Sequence, residues 1–345
     1  MSATSGLARS VQVRLARHAR AIDADPNLVL ARYGTERFLY RLSASPYAER
    51  FVLKGALLLL VWLGETFRPT RDADLLGFGD LSGQSLREIL RECCALEVEP
   101  DGLVFDPSSV SVVAIRPENV YGGQRGIMRA RLGSARIKVQ VDVGIGDAVE
   151  PPAEWLDYPS LLDLPRARLR AYRPETVVAE KLHTMVTLGA VNSRMRDFFD
   201  VHALATRESF DGARLVRAVR ATFERRRTEI PQDAPLALTP AFADFEGKRV
   251  QWTSRALSRA TCRMALNGCW ICLSQSTASI AAAIRARVVA TPPRRNTGAR
   301  NRPPVISLYW TFTAIVGSSH VTHAGARGCK MRRRSANGSW RRSRP

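Results

Sequence analysis

The chain has 345 residues, 45% of them hydrophobic, with a formal net charge of +20. That is enough apolar material for one large domain or two smaller ones, and no run reaches the roughly eighteen apolar residues of a membrane span, residues 56–63 and 305–317 both being too short. The charge is uneven: residues 256–345 carry sixteen Arg and Lys and no Asp or Glu, leaving 36 basic against 32 acidic residues before them, so the body gives no strong electrostatic case for a polyanion partner.

Met1-Ser2-Ala3-Thr4-Ser5-Gly6 lacks the basic-then-apolar pattern of a secretory signal, and a cytoplasmic protein without membrane contact is expected. Residues 7–22 read as an amphipathic helix. A second helix runs from Pro26, suited to a first turn, to Leu42, with Leu28, Leu30, Phe38 and Leu39 among its apolar residues. Residues 50–54 form a short strand that turns at Gly55 into residues 56–63, apolar all round and therefore a buried helix closed by Gly64. A strand over 70–76 follows, then a loop at 79–83 and a helix over 85–96, in which Cys93 and Cys94 are ordinary small core residues. Residues 110–115 make a β-branched strand. Residues 126–132 and 136–143, joined by Gly133-Ser134, make a hairpin. In its second arm Lys138, Gln140 and Asp142 face one way and Ile137, Val139, Val141 and Val143 the other. Gly144 and Gly146 mark its end.

Residues 151–164 read as a crossing into a helical back half. Its helices span 175–188, started by Pro174 and stopped by Gly189, then 194–205 and 212–227. The tail from 256 shows no sustained periodicity, and ninety acid-free residues deviate strongly from folded composition. It reads either as a basic nucleic-acid-binding arm or, preferred for its scattered Trp and Cys, as the product of a frameshift in a GC-rich gene. Cys269-x-x-Cys272 and His320-x-x-His323 have zinc-type spacing within each pair, but the gap between them is far too long, and they read as chance pairs.

The chemistry concentrates in Phe67-Arg68-Pro69-Thr70-Arg71-Asp72-Ala73-Asp74-Leu75-Leu76. On a strand Thr70, Asp72 and Asp74 project together, and two carboxylates so placed repel unless a cation lies between them. Hard oxygen donors of this kind suit Mg²⁺, which keeps one or two carboxylates plus substrate phosphates. The bland alternative is a solvated strand end neutralised by Arg68 and Arg71. A glycine opening a helix (Gly55), an acid-x-acid strand and a third acid (Asp142) on another strand together resemble the polymerase-β-like nucleotidyltransferase superfamily. Gly55-Ala56 stands where that superfamily has Gly-Gly or Gly-Ser.

Two further stretches bring the resemblance closer: Tyr172-Arg173-Pro174-Glu175-Thr176-Val177-Val178-Ala179-Glu180-Lys181-Leu182-His183 and Arg194-Met195-Arg196-Asp197-Phe198-Phe199-Asp200-Val201. With the acid-x-acid stretch and Val141-Asp142-Val143-Gly144-Ile145-Gly146-Asp147, they look like the AbiEii/AbiGii toxin family over about residues 39–228. The resemblance implies a metal-dependent nucleotidyltransferase, the toxin of a bacterial toxin–antitoxin or abortive-infection pair. Related MenT-type toxins add nucleotides to the 3′ end of tRNA. It implies an α/β core of polymerase-β-like mixed sheet over 40–150, after N-terminal helices at 1–39 and before a helical region at 151–250 that completes the site. The tail at 256–345 is expected to be irregular. It implies Asp72, Asp74 and Asp142 as ligands of Mg²⁺ or Mn²⁺, with Asp142 also a candidate base. Lys54, Gly55, Thr70 and Lys181 would bind the nucleoside triphosphate, and Lys181 and Asp197 would join the acids in catalysis. Asp200, one helical turn beyond Asp197, competes for its role. His183 and His202 read as structural. The implied partners are tRNA or another RNA acceptor and a cognate antitoxin. The opposing readings are an inactive remnant, a nucleic-acid-binding protein using the tail, or nucleotidylation of a small molecule or protein.

Overall fold

The structure, a computed structural model, describes residues 3–64, 70, 72–115, 122–239, 241, 242, 245–248, 250 and 251. The readings made on residues 65–69, Arg71 and the tail, including its Cys and His pairs, lie outside the described residues.

Among the described residues seven strands form one mixed sheet: β1 (Phe51–Lys54), β2 (Asp72–Gly77), β3 (Leu103–Ile115), β4 (Gly123–Leu132), β5 (Ala135–Ile145), β6 (Glu154–Asp157) and β7 (Arg168–Ala171). Their spatial order is β3-β4-β5-β2-β1-β7-β6. β2 runs parallel to β5 and β1 parallel to β7, and the other neighbours are antiparallel. The expected α/β class holds. Among the described residues seven α-helices accompany the sheet: α1 (Ala3–Ala21), α2 (Pro26–Ala44), α3 (Leu57–Leu63), α4 (Gly83–Ala95), α5 (Pro174–Leu188), α6 (Met195–Arg207) and α7 (Gly212–Arg225).

The alternation in β5 decides which face is the core. Ile137, Val139, Val141 and Val143 are buried, while Lys138 is exposed and Gln140 and Asp142 lie between. α2 packs on the apolar face at close range, because a Cβ on its Gly34 would stand 2.6 Å from Ile137 Cγ2. Asp25 caps α2 through Asn27 N, and Pro26 occupies its first turn as expected. α2 is nonetheless more internal than its apolar residues suggest. Arg37 is fully buried, and with Arg41 it holds Asp101 through Nε–Oδ2 at 3.1 Å and Nη1–Oδ2 at 2.7 Å. Burial works against the Asp101 carboxylate, but Arg41 and Arg37 keep it below the usual carboxylate range. α4 covers the same face of the sheet, with Leu86, Ile89, Leu90, Cys93 and Cys94 buried. Both thiols are free, and burial pushes them up to about 11 and 12, as befits core residues.

Three expectations need correction. The crossing at 151–164 contains β6, and β7 follows it, so the sheet continues past the hairpin into the half read as helical. Each strand has four residues, too few for a period to declare itself. β3 begins at Leu103, seven residues earlier than read, because Asp106 and Ser109 interrupt its apolar pattern at a register shift. β2 begins at Asp72, so Thr70 lies just outside the strand on which it was placed. Among the described residues no helix is long and apolar enough to cross a membrane.

Candidate functional site

On the face of the sheet opposite α2, four neighbouring strands bring charged residues into one row. Lys54 of β1 is the register partner of Asp74 on β2, Asp74 of Asp142 on β5, and Asp142 of Arg125 on β4. Asp72, two residues before Asp74 and exposed, pairs in register with Gln140. The row exists because period-two strands put register partners on one face. Burial pushes the Asp74 carboxyl up to about 6; Lys54 and Lys181 draw it down while Asp142 and Asp72 push it up. A buried carboxylate beside two others needs a positive partner to stay charged.

Gly55 closes this corner. Its φ is +73°, and a Cβ there would lie 2.3 Å from Asp74 Oδ2 and 2.9 Å from Asp74 Cβ. The glycine thus makes room for the carboxylate itself. Gly55→Ala is expected to cost about 1–3 kcal/mol for the left-handed backbone alone. It should also displace Asp74, so that urea unfolding and transfer activity fall together.

Lys54 does not touch Asp74 directly. Its Nζ lies 2.6 Å from Asp147 Oδ2 and 3.0 Å from Glu180 Oε1, with the Tyr172 ring 5.4 Å away. Arg226, capping α7, reaches the same acids at 3.0 Å and 3.3 Å. Two cations and two carboxylates thereby tie β1, the end of β5, α5 and α7 together. Burial opposes the Lys54 charge, but Glu180 and Asp147 outweigh it and hold the ammonium more firmly than usual. Burial also opposes the Asp147 carboxylate, yet Lys54 and Arg226 bring it down to about 2. A depressed carboxyl stabilises the fold above its unfolded value, near 4, and that stabilisation disappears as pH falls through about 2. In urea melts the wild-type advantage over Asp147→Asn should be full above about pH 5 and vanish near pH 2.

Lys181, one residue beyond Glu180, points elsewhere. Its Nζ sits 2.6 Å from Asp197 Oδ1 and 2.8 Å from Asp200 Oδ2, with side chains 12%, 6% and 0% exposed. Arg194 Nε adds 2.6 Å to Asp197 Oδ2. This is neither a solvated helix face nor a surface ion pair, and both candidate aspartates engage the lysine. Against burial, Asp200 and Asp197 raise the Lys181 ammonium above its ordinary value. His183 lies 2.9 Å from Thr228 Oγ1 and against the edge of Phe223; burial and Arg226 lower it to about 4.

Arg125 and Arg226 were not singled out from sequence, and Asp147, Glu180 and Tyr172 stood only within the stretches that carry the resemblance, without a role. Arg125 holds Asp142 along one guanidinium edge, Nε–Oδ1 at 2.8 Å and Nη2–Oδ2 at 2.7 Å. An arginine among the scattered basic residues of a hairpin carries no sequence signal until register sets it opposite an acid. Asp147 had one: it follows two glycines at the end of a strand.

The donor set decides which divalent site these residues fit. Asp72 and Asp74 are hard oxygen donors on one strand, whereas both oxygens of Asp142 face Arg125. Among the described residues no three His, Cys, Asp or Glu side chains converge as an all-protein metal cage requires. The set suits Mg²⁺, which binds one or two carboxylates and completes its shell with substrate phosphates and water.

A family model described as the nucleotidyl transferase AbiEii toxin of a type IV toxin–antitoxin system matches residues 37–261. The chain is similar to two solved structures from Helicobacter pylori. For JHP933 the identity is 13% over 73% of this chain and 89% of that one, with a TM-score of 0.42. For a candidate nucleotidyltransferase the identity is 15% over 73% and 92%, with a TM-score of 0.43. None of the curated proteins matches.

Proposed function

This chain belongs to the AbiEii nucleotidyl transferase toxin family of type IV toxin–antitoxin systems, and from that premise we propose a divalent-metal-dependent transfer of a nucleotide from a nucleoside triphosphate to an RNA, tRNA being the preferred acceptor. The observation that carries the proposal is the row Lys54–Asp74–Asp142–Arg125, with Asp72 beside it and a carboxyl raised to about 6 at its centre. Perturbed acids flanked by fixed cations mark sites built for charge that arrives with a ligand.

Asp72 and Asp74 would hold the ion. A bound Mg²⁺ or Mn²⁺ would supply charge neutralisation at the triphosphate. Lys54, Gly55, Thr70 and Lys181 form the triphosphate side of the site, where Lys54 and Lys181 supply ammonium groups that their carboxylate partners fix in place. In the transfer, the acceptor hydroxyl oxygen bonds to the α-phosphorus, the bond to the bridging oxygen breaks, and pyrophosphate leaves with that electron pair. The hydroxyl proton passes to Asp142, whose Oδ2 takes a single bond from Arg125 and so keeps a lone pair for it. Asp197 and Asp200 position Lys181. A cognate antitoxin and a cytoplasmic setting complete the reading.

The test is incubation of the purified chain with Mg²⁺, total tRNA and each labelled nucleoside triphosphate in turn, beside Asp72→Ala. Label entering tRNA with wild type alone supports the reading and names the nucleotide. Label entering a protein or small molecule instead would move the acceptor. No transfer from folded protein would favour an inactive remnant.

A further inference from the structure

α5 and α7 reach the site over β1 and the end of β5, where Glu180 and Arg226 meet Lys54 and Asp147. Further along the same face of β4 and β5, the described residues are exposed. Arg129, Arg131, Arg136 and Lys138 are all exposed there. Register makes Arg129 the direct partner of Lys138, and Arg131 the direct partner of Arg136. Like charges placed opposite each other across strands destabilise a sheet, and here two consecutive rungs of the hairpin carry them. Asp106 lies across from Arg129 on β3; Ser108, whose N and Oγ donate to Oδ1 at 3.0 Å and 2.6 Å, and then the Arg129 charge hold its carboxylate below the ordinary range, so this rung carries one acid beside its two cations.

These rungs continue the site. Along the hairpin the successive pairs are Arg125–Asp142, Ile127–Gln140, Arg129–Lys138 and Arg131–Arg136, each about 7 Å from the next. Val104 and Val113, partners of Arg131 and Arg125 on β3, leave exposed apolar area on the same side. The result is a cationic bed that starts at the candidate carboxylates and runs away from them toward Gly133.

We propose that this β4–β5 face binds the acceptor strand, a single-stranded RNA end whose phosphates lie along Arg129, Lys138, Arg131 and Arg136 and whose terminus reaches Asp74 and Asp142. The inference rests on the nucleotidyl-transfer reading for the identity of the terminus, and on charge complementarity and continuity with the site for the bed. A polyanion there relieves the two like-charged rungs, and the phosphate contacts are electrostatic and sequence-tolerant. Near-neutral charge over the folded body conceals this, because the cations are gathered on one face.

The test uses the full chain and the variant R129Q/R131Q/R136Q/K138Q, whose changes are on exposed positions and remove two like-charge oppositions together with the Arg129–Asp106 attraction. A fluorescent single-stranded RNA is titrated across a salt series, and KM is measured separately for RNA acceptor and nucleoside triphosphate. The variant should lose at least about 10-fold in RNA affinity near 0.1 M salt, with the log-affinity against log-salt slope falling by up to about 0.7 per lost phosphate contact. Its acceptor KM should rise while its triphosphate KM stays unchanged. R9Q/R17Q on the exposed side of α1 should alter none of these. An unchanged slope and acceptor KM would overturn the bed while leaving the transfer reading intact. A slope lost in the variant, from a wild type that transfers to no RNA, would sustain the bed and sink the transfer reading. Equal losses in R9Q/R17Q would reduce the effect to general surface charge and overturn the proposal.

Discussion

Replacing Lys181 by Met is expected to cost the folded chain about 3–5 kcal/mol, the penalty for removing one partner of a buried ion pair. The lysine is the shared cation of Asp197 and Asp200, at 2.6 Å and 2.8 Å, and Asp200 is fully buried. Met preserves the length and apolar stem of the side chain, so packing changes little while two carboxylates lose their ammonium. Arg194 still serves Asp197, while Asp200 loses the ammonium at 2.8 Å. Adding Asp200→Asn to Lys181→Met should therefore recover a substantial part of the loss. Urea unfolding at neutral pH measures it, and a cost under 1 kcal/mol would show that the cluster is not the buried junction its exposures indicate.

Asp74→Asn is expected to do the reverse: lose activity and keep stability. Burial already pushes the Asp74 carboxyl up to about 6, so a neutral amide in its place spares the fold a strained charge. Transfer should fall by more than about 100-fold, exceeding the 10- to 100-fold effect of losing an outer partner of a metal ligand. Thermal and urea stability at pH 7 should be unchanged or higher. Asp101→Asn is the useful contrast: that carboxylate is held by Arg37 and Arg41 below its ordinary range, so its loss weakens the fold without touching the site. Equal loss of stability in both variants would make Asp74 another structural acid.

Much of this arrangement was legible before the structure. The alternation of β5 placed Asp142 opposite a wholly apolar face, and the glycine after β1 and the acid-x-acid strand gave the site its central elements. What the sequence concealed were partnerships made by register and by long-range return of the chain. Arg125 meets Asp142 only because β4 and β5 pair in one register, and Lys54 meets Glu180 across 126 residues. Lys181 and Asp197 were named from a motif, but their direct contact, and the equal claim of Asp200, depend on how α6 packs against α5. Strands β6 and β7 escaped notice because four residues carry no period, and Thr70 was read into a strand that begins two residues later. Net charge misled in another way: a body with nearly equal acids and bases still gathers four cations on one face of a hairpin.

The most direct test of the central claim follows two labels in one reaction. The chain is incubated with Mg²⁺, the RNA acceptor, and the nucleoside triphosphate carrying label on either the α- or the γ-phosphate. Nucleotidyl transfer predicts that α-label enters the RNA and γ-label leaves as pyrophosphate, with both signals lost in Asp72→Ala and Asp74→Asn. Label from the γ-phosphate on the RNA, or α-label transferred equally well by the two variants, would contradict the account.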